Sequence, residues 1–171
     1  MGVRVTTTRI GNWDASTWSM TVRPSVSTHP SYRARGDAVS NSDVWAVGDY
    51  LTGGMDESQT LAEHWDGSTW SIVSSPNLTQ YSLLFGVSAL SGTDVWAVGW
   101  NGYARPALSE HWDGSTWTIV ETPLIDLYDV LESVVAISSN DVWAVGYSRS
   151  FFPINPVHVL LEHWDGNTWS V

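Results

Sequence analysis

Three sets of residues in this 171-residue chain have side chains capable of chemistry. The first is a Glu-His pair that occurs three times, as Glu63-His64, Glu110-His111 and Glu162-His163. A carboxylate beside an imidazole can hold a metal or relay a proton, provided further ligands or a substrate converge on it. The second is a scatter of aromatic residues beside polar ones. Asp49, Tyr50, Met55, Asp56 and Glu57 form one group. Trp100, Asn101, Tyr103 and Arg105 form another, and Tyr147, Arg149, Phe151 and Phe152 a third, with Tyr81 and Tyr128 at matching positions. An aromatic ring stacks on the apolar face of a sugar while neighbouring polar groups take its hydroxyls. The same mixture serves as a protein-binding hot spot. The third set is Asp66, Asp113 and Asp165, each before a Gly and three residues before Thr69, Thr116 or Thr168. Asp in that position braces a turn.

Composition removes several alternatives. Cys is absent, which excludes disulfides, thiolate metal sites and Cys nucleophiles. Asp and Glu number 18 against seven basic residues, all Arg, for a net charge of −11. A binder of nucleic acid or of anionic membranes needs the opposite balance. No apolar run reaches the ~18 residues of a membrane-spanning helix, so membrane insertion is not expected. The N-terminal stretch lacks the apolar centre of a signal peptide. With 43% hydrophobic residues the chain can bury a core. No Ser-His-Asp order and no metal-ligand spacing stands out, so the reading is of a non-enzyme without a cofactor.

The elements that position these residues are repeats. Asp-Val-Trp-Ala-Val-Gly occurs at 43–48, 94–99 and 141–146, in steps of 51 and 47 residues. Glu-His-Trp-Asp-Gly-(Ser/Asn)-Thr-Trp occurs at 63–70, 110–117 and 162–169, with a decayed copy at 11–18. Eleven of the twelve Trp lie in these strings, and only Trp100 does not. Alternation places Val44 and Ala46 on one face of a strand and Trp45 and Val47 on the other, both apolar, as suits a strand covered on both sides. An apolar stretch precedes this strand, and Asp66-Gly67 predicts a tight hairpin turn after the next one. Each repeat therefore predicts four antiparallel strands, A to D.

Four strands repeated at about 50 residues predict an all-β chain of β-propeller blades. The order of motifs resembles the kelch repeat over residues 11–171, with one Gly where kelch usually has two and Trp where it usually has Tyr. The Trp-Asp pairs are similar to those of WD40 repeats, but the period is longer and the Gly-His signature is missing. The turn Asp66-Gly67-Ser68-Thr69-Trp70 resembles the Asp-box of sialidase-like propellers, which is structural even in enzymes. Chemistry of the galactose-oxidase type on a kelch-like propeller needs a Cys that is missing here. The predicted organisation is an N-terminal half-blade of strands C and D with a linker in 1–31, then blades at 32–81, 82–129 and 130–171.

Three blades and a half do not close a ring of the usual four to eight blades. The expectation is a homo-oligomer, most simply a dimer, that completes the ring. Length variation falls in the B–C loops, which share a face with the D–A loops, so that face is the expected ligand site. The function expected is a binding and assembly scaffold for an unknown protein or glycan. A lectin with repeated sites is one alternative, and an engineered or truncated fragment whose main property is self-assembly is another. The Glu-His pairs are expected to bond neighbouring strands or blades, because blades hold equivalent residues apart. Nine Trp are expected to pack between blades: Trp45, Trp65, Trp70, Trp96, Trp112, Trp117, Trp143, Trp164 and Trp169. In the lectin reading Trp70, Trp117 and Trp169 would instead line sugar sites. The integrin-type tripeptide Arg35-Gly36-Asp37 falls on a predicted inner strand, which suits structure better than recognition. The Ser/Thr-rich, Lys-free style resembles that of secreted bacterial surface proteins.

Overall fold

The computed structural model describes residues 9–13, 18–22, 24, 31–53, 57–103, 105–150 and 156–171. Among these every regular element is a strand. A hairpin of β1 (Arg9–Trp13) and β2 (Trp18–Val22) comes first. Sheet 1 follows as β3 (Ser31–Ser40), β4 (Asp43–Leu51), β5 (Ser58–Trp65) and β6 (Trp70–Val73). Sheet 2 holds β7 (Leu83–Ser91), β8 (Asp94–Trp100), β9 (Leu108–Trp112) and β10 (Trp117–Ile119). Sheet 3 holds β11 (Tyr128–Ser138), β12 (Asp141–Arg149), β13 (Val157–Trp164) and β14 (Trp169–Ser170). Each sheet is an antiparallel meander in sequence order, as the repeats predicted.

The Glu-His-Trp-Asp motif ties one rim of each sheet together. The Trp indole N–H donates to a carbonyl in the turn between the first two strands. The pairs are Trp65 to Asn41, Trp112 to Gly92 and Trp164 to Ser139, each at 3.1 Å. The His Nε2 lies 2.8–2.9 Å from an Asp on the neighbouring strand, in His64–Asp43, His111–Asp94 and His163–Asp141. The Asp closes its own turn, where Asp66 Oδ1 accepts the N–H groups of Ser68 and Thr69 at 2.8 Å. The turn thus spans four residues, Asp66 to Thr69, and is wider than an Asp-Gly pair alone. Gly67, at φ 92°, occupies its left-handed position. These donors hold the carboxyl pKa values down. The Ser115 hydroxyl and the Thr116 N–H keep Asp113 at about 2.

The three sheets pack face to face in chain order, so that sheet 2 has a neighbour on each of its faces. Trp45, Val47 and Ala62 on the forward face of sheet 1 bury against Leu84, Val87, Val95, Ala97, Leu108 and Trp117 on the backward face of sheet 2. Trp96 and Val98 on the forward face of sheet 2 bury in the same way against Leu131, Val134, Val142, Ala144, Leu160 and Trp169 of sheet 3. At each junction one Trp packs against a Trp pair whose own rings lie 5.9–6.0 Å apart. The Trp45 ring lies 5.1 Å from Trp112 and 5.3 Å from Trp117, and Trp96 lies 5.2 Å from Trp164 and 5.5 Å from Trp169. A buried indole removes 150–250 Å² from water, worth about 4–6 kcal/mol before ordering costs. Hydrogen bonds fix the inner strands, with the Ala89 N–H donating to Asp37 Oδ2 at 2.8 Å and the Ala136 N–H to Ser88 Oγ at 3.0 Å.

The repeated Gly of the first motif has a steric cause. A Cβ on Gly99 would strike the Leu83 carbonyl oxygen, and one on Gly146 that of Val130. The inner strand passes too close for any side chain. Just beyond this point each inner strand carries a bulge, between Arg33 and Arg35, Leu84 and Gly86, and Leu131 and Ser133.

Candidate functional site

Five of the aromatic residues singled out from sequence meet in one ledge. Tyr81 precedes β7, Trp100 ends β8, Tyr103 sits in the loop after it, Tyr128 opens β11 and Tyr147 lies on β12. Trp100 is the hub, with ring centroids 5.1 Å from Tyr128, 5.4 Å from Tyr103 and 6.4 Å from Tyr81. Tyr103 lies 5.3 Å from Tyr128, and Tyr128 stacks on Tyr147 at 6.0 Å. Most of the rings are half-buried, while Tyr103 is 63% exposed. The ledge spans sheets 2 and 3 because Trp100 and Tyr147 occupy the same repeat position, at the end of the second strand on the forward face. Burial, reinforced by Tyr147, pushes the Tyr128 phenol up to about 12 even though Arg149 pulls it down. It is therefore a neutral donor at physiological pH.

Beneath the ledge lies a pocket of about 330 Å³, lined by Arg35, Phe85, Tyr128, Val130, Glu132 and Tyr147. It gathers residues from all three inner strands. Phe85 and Glu132 are the bulge residues of β7 and β11, and a bulge re-aims its side chain. Sequence reading missed Arg35, Phe85 and Glu132 as site residues. Their signal was an extra residue in each inner strand, which alternation alone cannot place.

The remaining residues lie apart from the ledge. Asp49 holds the position of Trp100 and Tyr147 in sheet 1, but is buried and accepts the Ser58 hydroxyl at 3.1 Å. Tyr50, one residue on, points to the opposite face, donates to Gln59 Oε1 at 2.8 Å and lines a second pocket of about 300 Å³. Arg105 is exposed in the loop after Tyr103, and Arg149 is half-buried beside Tyr128. Asn101 is buried and accepts the Ser82 hydroxyl at 3.0 Å. Glu57 accepts the Thr52 hydroxyl at 3.0 Å. Met55, Asp56, Phe151 and Phe152 lie outside the described residues.

The repeated residues occupy structural positions. Trp117 and Trp169 are 5% exposed, inside the junctions between sheets, so neither offers a ring face to a sugar. Glu63, Glu110 and Glu162 are fully buried. Glu110 accepts the Ser75 hydroxyl at 2.6 Å from the segment after sheet 1, whereas neither oxygen of Glu162 has a partner. Burial pushes both carboxyls up to about 8, with Asp129 adding to the effect at Glu162. Among the described residues no three or more His, Asp or Glu gather where they could hold a metal ion. Among the same residues no helix is long and apolar enough to cross a membrane. A scan against protein-family models finds no match, and neither does a search of curated proteins.

Proposed function

We propose that this chain is a non-enzymatic binding scaffold whose kelch-like repeats stand as successive propeller blades. Copies associate to complete the ring, and the B–C and D–A loops present the aromatic ledge to a protein ligand. One observation carries the reading: five rings form a continuous surface across two sheets, capped by the exposed Tyr103. Lectin sites repeated from blade to blade would need an equivalent in every sheet, but sheet 1 carries Asp49 at the position of Trp100 and Tyr147. The single footprint therefore favours one protein segment, with an aromatic anchor and Arg149 beside it. A sugar is the second reading, because the pocket sets Arg35 and Glu132 beside the Tyr128 and Tyr147 rings.

Selection from a displayed peptide library, run beside a broad glycan array, tests both readings. Peptides are expected to be enriched, and Tyr103→Ala with Tyr147→Ala should weaken the selected peptide about 30-fold, as loss of a hot spot does. Enrichment that the double variant leaves unchanged would reject the ledge. Glycan binding without peptide binding would replace the first reading by the second.

A further inference from the structure

Sheet 3 leaves its forward face open. Val135, Trp143, Val145, Val157, Val159 and Leu161 stand on it, from 36% exposed at Trp143 to 85% at Val159. The equivalent faces of sheets 1 and 2 are buried against the next sheet. Trp143 nevertheless keeps the His contact of the docked Trp residues, with its indole N–H donating to Asp141 Oδ1 at 2.9 Å. Its ring stacks on His163 at 4.2 Å, and the rings of Trp45 and Trp96 lie tilted against His64 and His111, each at 4.5 Å.

At both internal junctions such a Trp enters at a cross-strand Trp pair, Trp112 opposite Trp117 or Trp164 opposite Trp169. The β1–β2 hairpin pairs in the same register, with Trp13 opposite Trp18. By its motif this hairpin is strands C and D of a repeat that precedes sheet 1.

Two further observations fit a neighbour that has outer strands only. The backward face of sheet 1 is buried on its middle strands, at Ala46, Leu61 and Glu63, but exposed on its inner strand at Gly36 and Ala38. A hairpin of outer strands covers a sheet in that pattern. The forward face of sheet 3 has also gained volume. Leu161 stands where sheets 1 and 2 have Ala62 and Ser109, Val159 where they have Thr60 and Ala107, and Val135 where they have Asp37 and Ser88. Asp37 and Ser88 accept an N–H from the next inner strand, and Val135 cannot. A neighbour without an inner strand offers no such N–H and leaves room for larger side chains.

We propose that the forward face of sheet 3 docks the β1–β2 hairpin of a second copy, with Trp143 inserting at the Trp13–Trp18 rung. The contact is head-to-tail, and made twice it closes two chains about a twofold axis. It rests on the reading that copies associate, and it names the surfaces through which they do so.

Native mass measurement of the full chain should give a species of twice 18.9 kDa. Val159→Asp and Trp18→Ala should each weaken association about tenfold or more, with unchanged circular dichroism. Mixing the two variants should restore a heterodimer, because each supplies the surface that the other lacks. The Cys-free background allows a second measurement, insensitive to any loss of fold in Trp18→Ala. Val159→Cys copies mixed with Met20→Cys copies, Met20 lying two residues after Trp18 and so on the same face of the hairpin, and a short bis-maleimide should cross-link to each other. A wild-type monomer would overturn both the association and this docking. A wild-type dimer that tolerates Val159→Asp, is not restored by mixing, or cross-links only Val159→Cys to itself would overturn the docking alone.

Discussion

Replacing Glu110 and Glu162 by Gln should flatten the pH dependence of stability. Both side chains are fully buried at the junctions between sheets, and burial lifts each carboxyl from 4.5 to about 8. The folded state therefore binds a proton that the unfolded chain releases above pH 4.5. A folded-state pKa raised above the unfolded value gives stability that is complete below pH 4.5 and lost as pH rises toward 8. A tenfold difference in proton affinity between the folded and unfolded states is worth about 1.4 kcal/mol, so each Glu costs up to about 3 kcal/mol at pH 7 and about 5 kcal/mol above pH 8. The two should contribute about equally, because both carboxyls are raised to about 8, Glu110 with the Ser75 hydroxyl as its partner and Glu162 beside Asp129. Urea denaturation at pH 5, 7 and 9, followed by Trp fluorescence, measures the effect. The wild type should lose stability steadily across this range while the double variant changes little and becomes the more stable at pH 9. Parallel profiles would refute the reasoning, because they would mean that water or a rearranged partner solvates these carboxylates.

Gly99→Ala should destabilise the fold by about 3 kcal/mol or more, because its Cβ would collide with the Leu83 backbone rather than with a movable side chain. Thermal unfolding reads this directly. Asp113→Asn should remove a loss of thermal stability on the acid side. The Ser115 hydroxyl and Thr116 N–H hold the Asp113 pKa at about 2, below its ordinary 3.8. Its contribution is therefore present above pH 3.8 and lost as pH falls through about 2. Melting temperatures from pH 5 to pH 2 should fall for the wild type with a component that Asp113→Asn lacks.

The strands and their order were legible because the repeat prints its own register. Trp65 and Trp70, Trp112 and Trp117, and Trp164 and Trp169 are cross-strand partners, and the same spacing recurs in each copy. The ledge was legible in part. Tyr81 and Tyr128, and likewise Trp100 and Tyr147, share repeat positions, so convergence of their rings follows from the stacking of sheets 2 and 3. Asp49 and Tyr50 were grouped with them by loop position alone. Alternation turns Tyr50 to the other face, and Ser58 occupies Asp49. The pocket was not legible. Phe85 and Glu132 owe their direction to bulges, which depend on backbone pairing that a count of alternating residues does not contain.

The junctions of one Trp against a Trp pair also set how the molecule comes apart. Each sheet gains most of its apolar contact from the sheet beside it, so stability resides in nearest-neighbour couplings, as in a one-dimensional array. Sheet 2 is gripped on both faces, by Trp45 from one side and through its own Trp96 on the other. Within one chain sheet 3 is gripped on one face only, and its outer strand β14 is two residues long. In an undocked chain opening therefore starts as fraying at sheet 3 and travels inward, leaving β8 as the slowest region to exchange its amide hydrogens and β13 and β14 among the fastest.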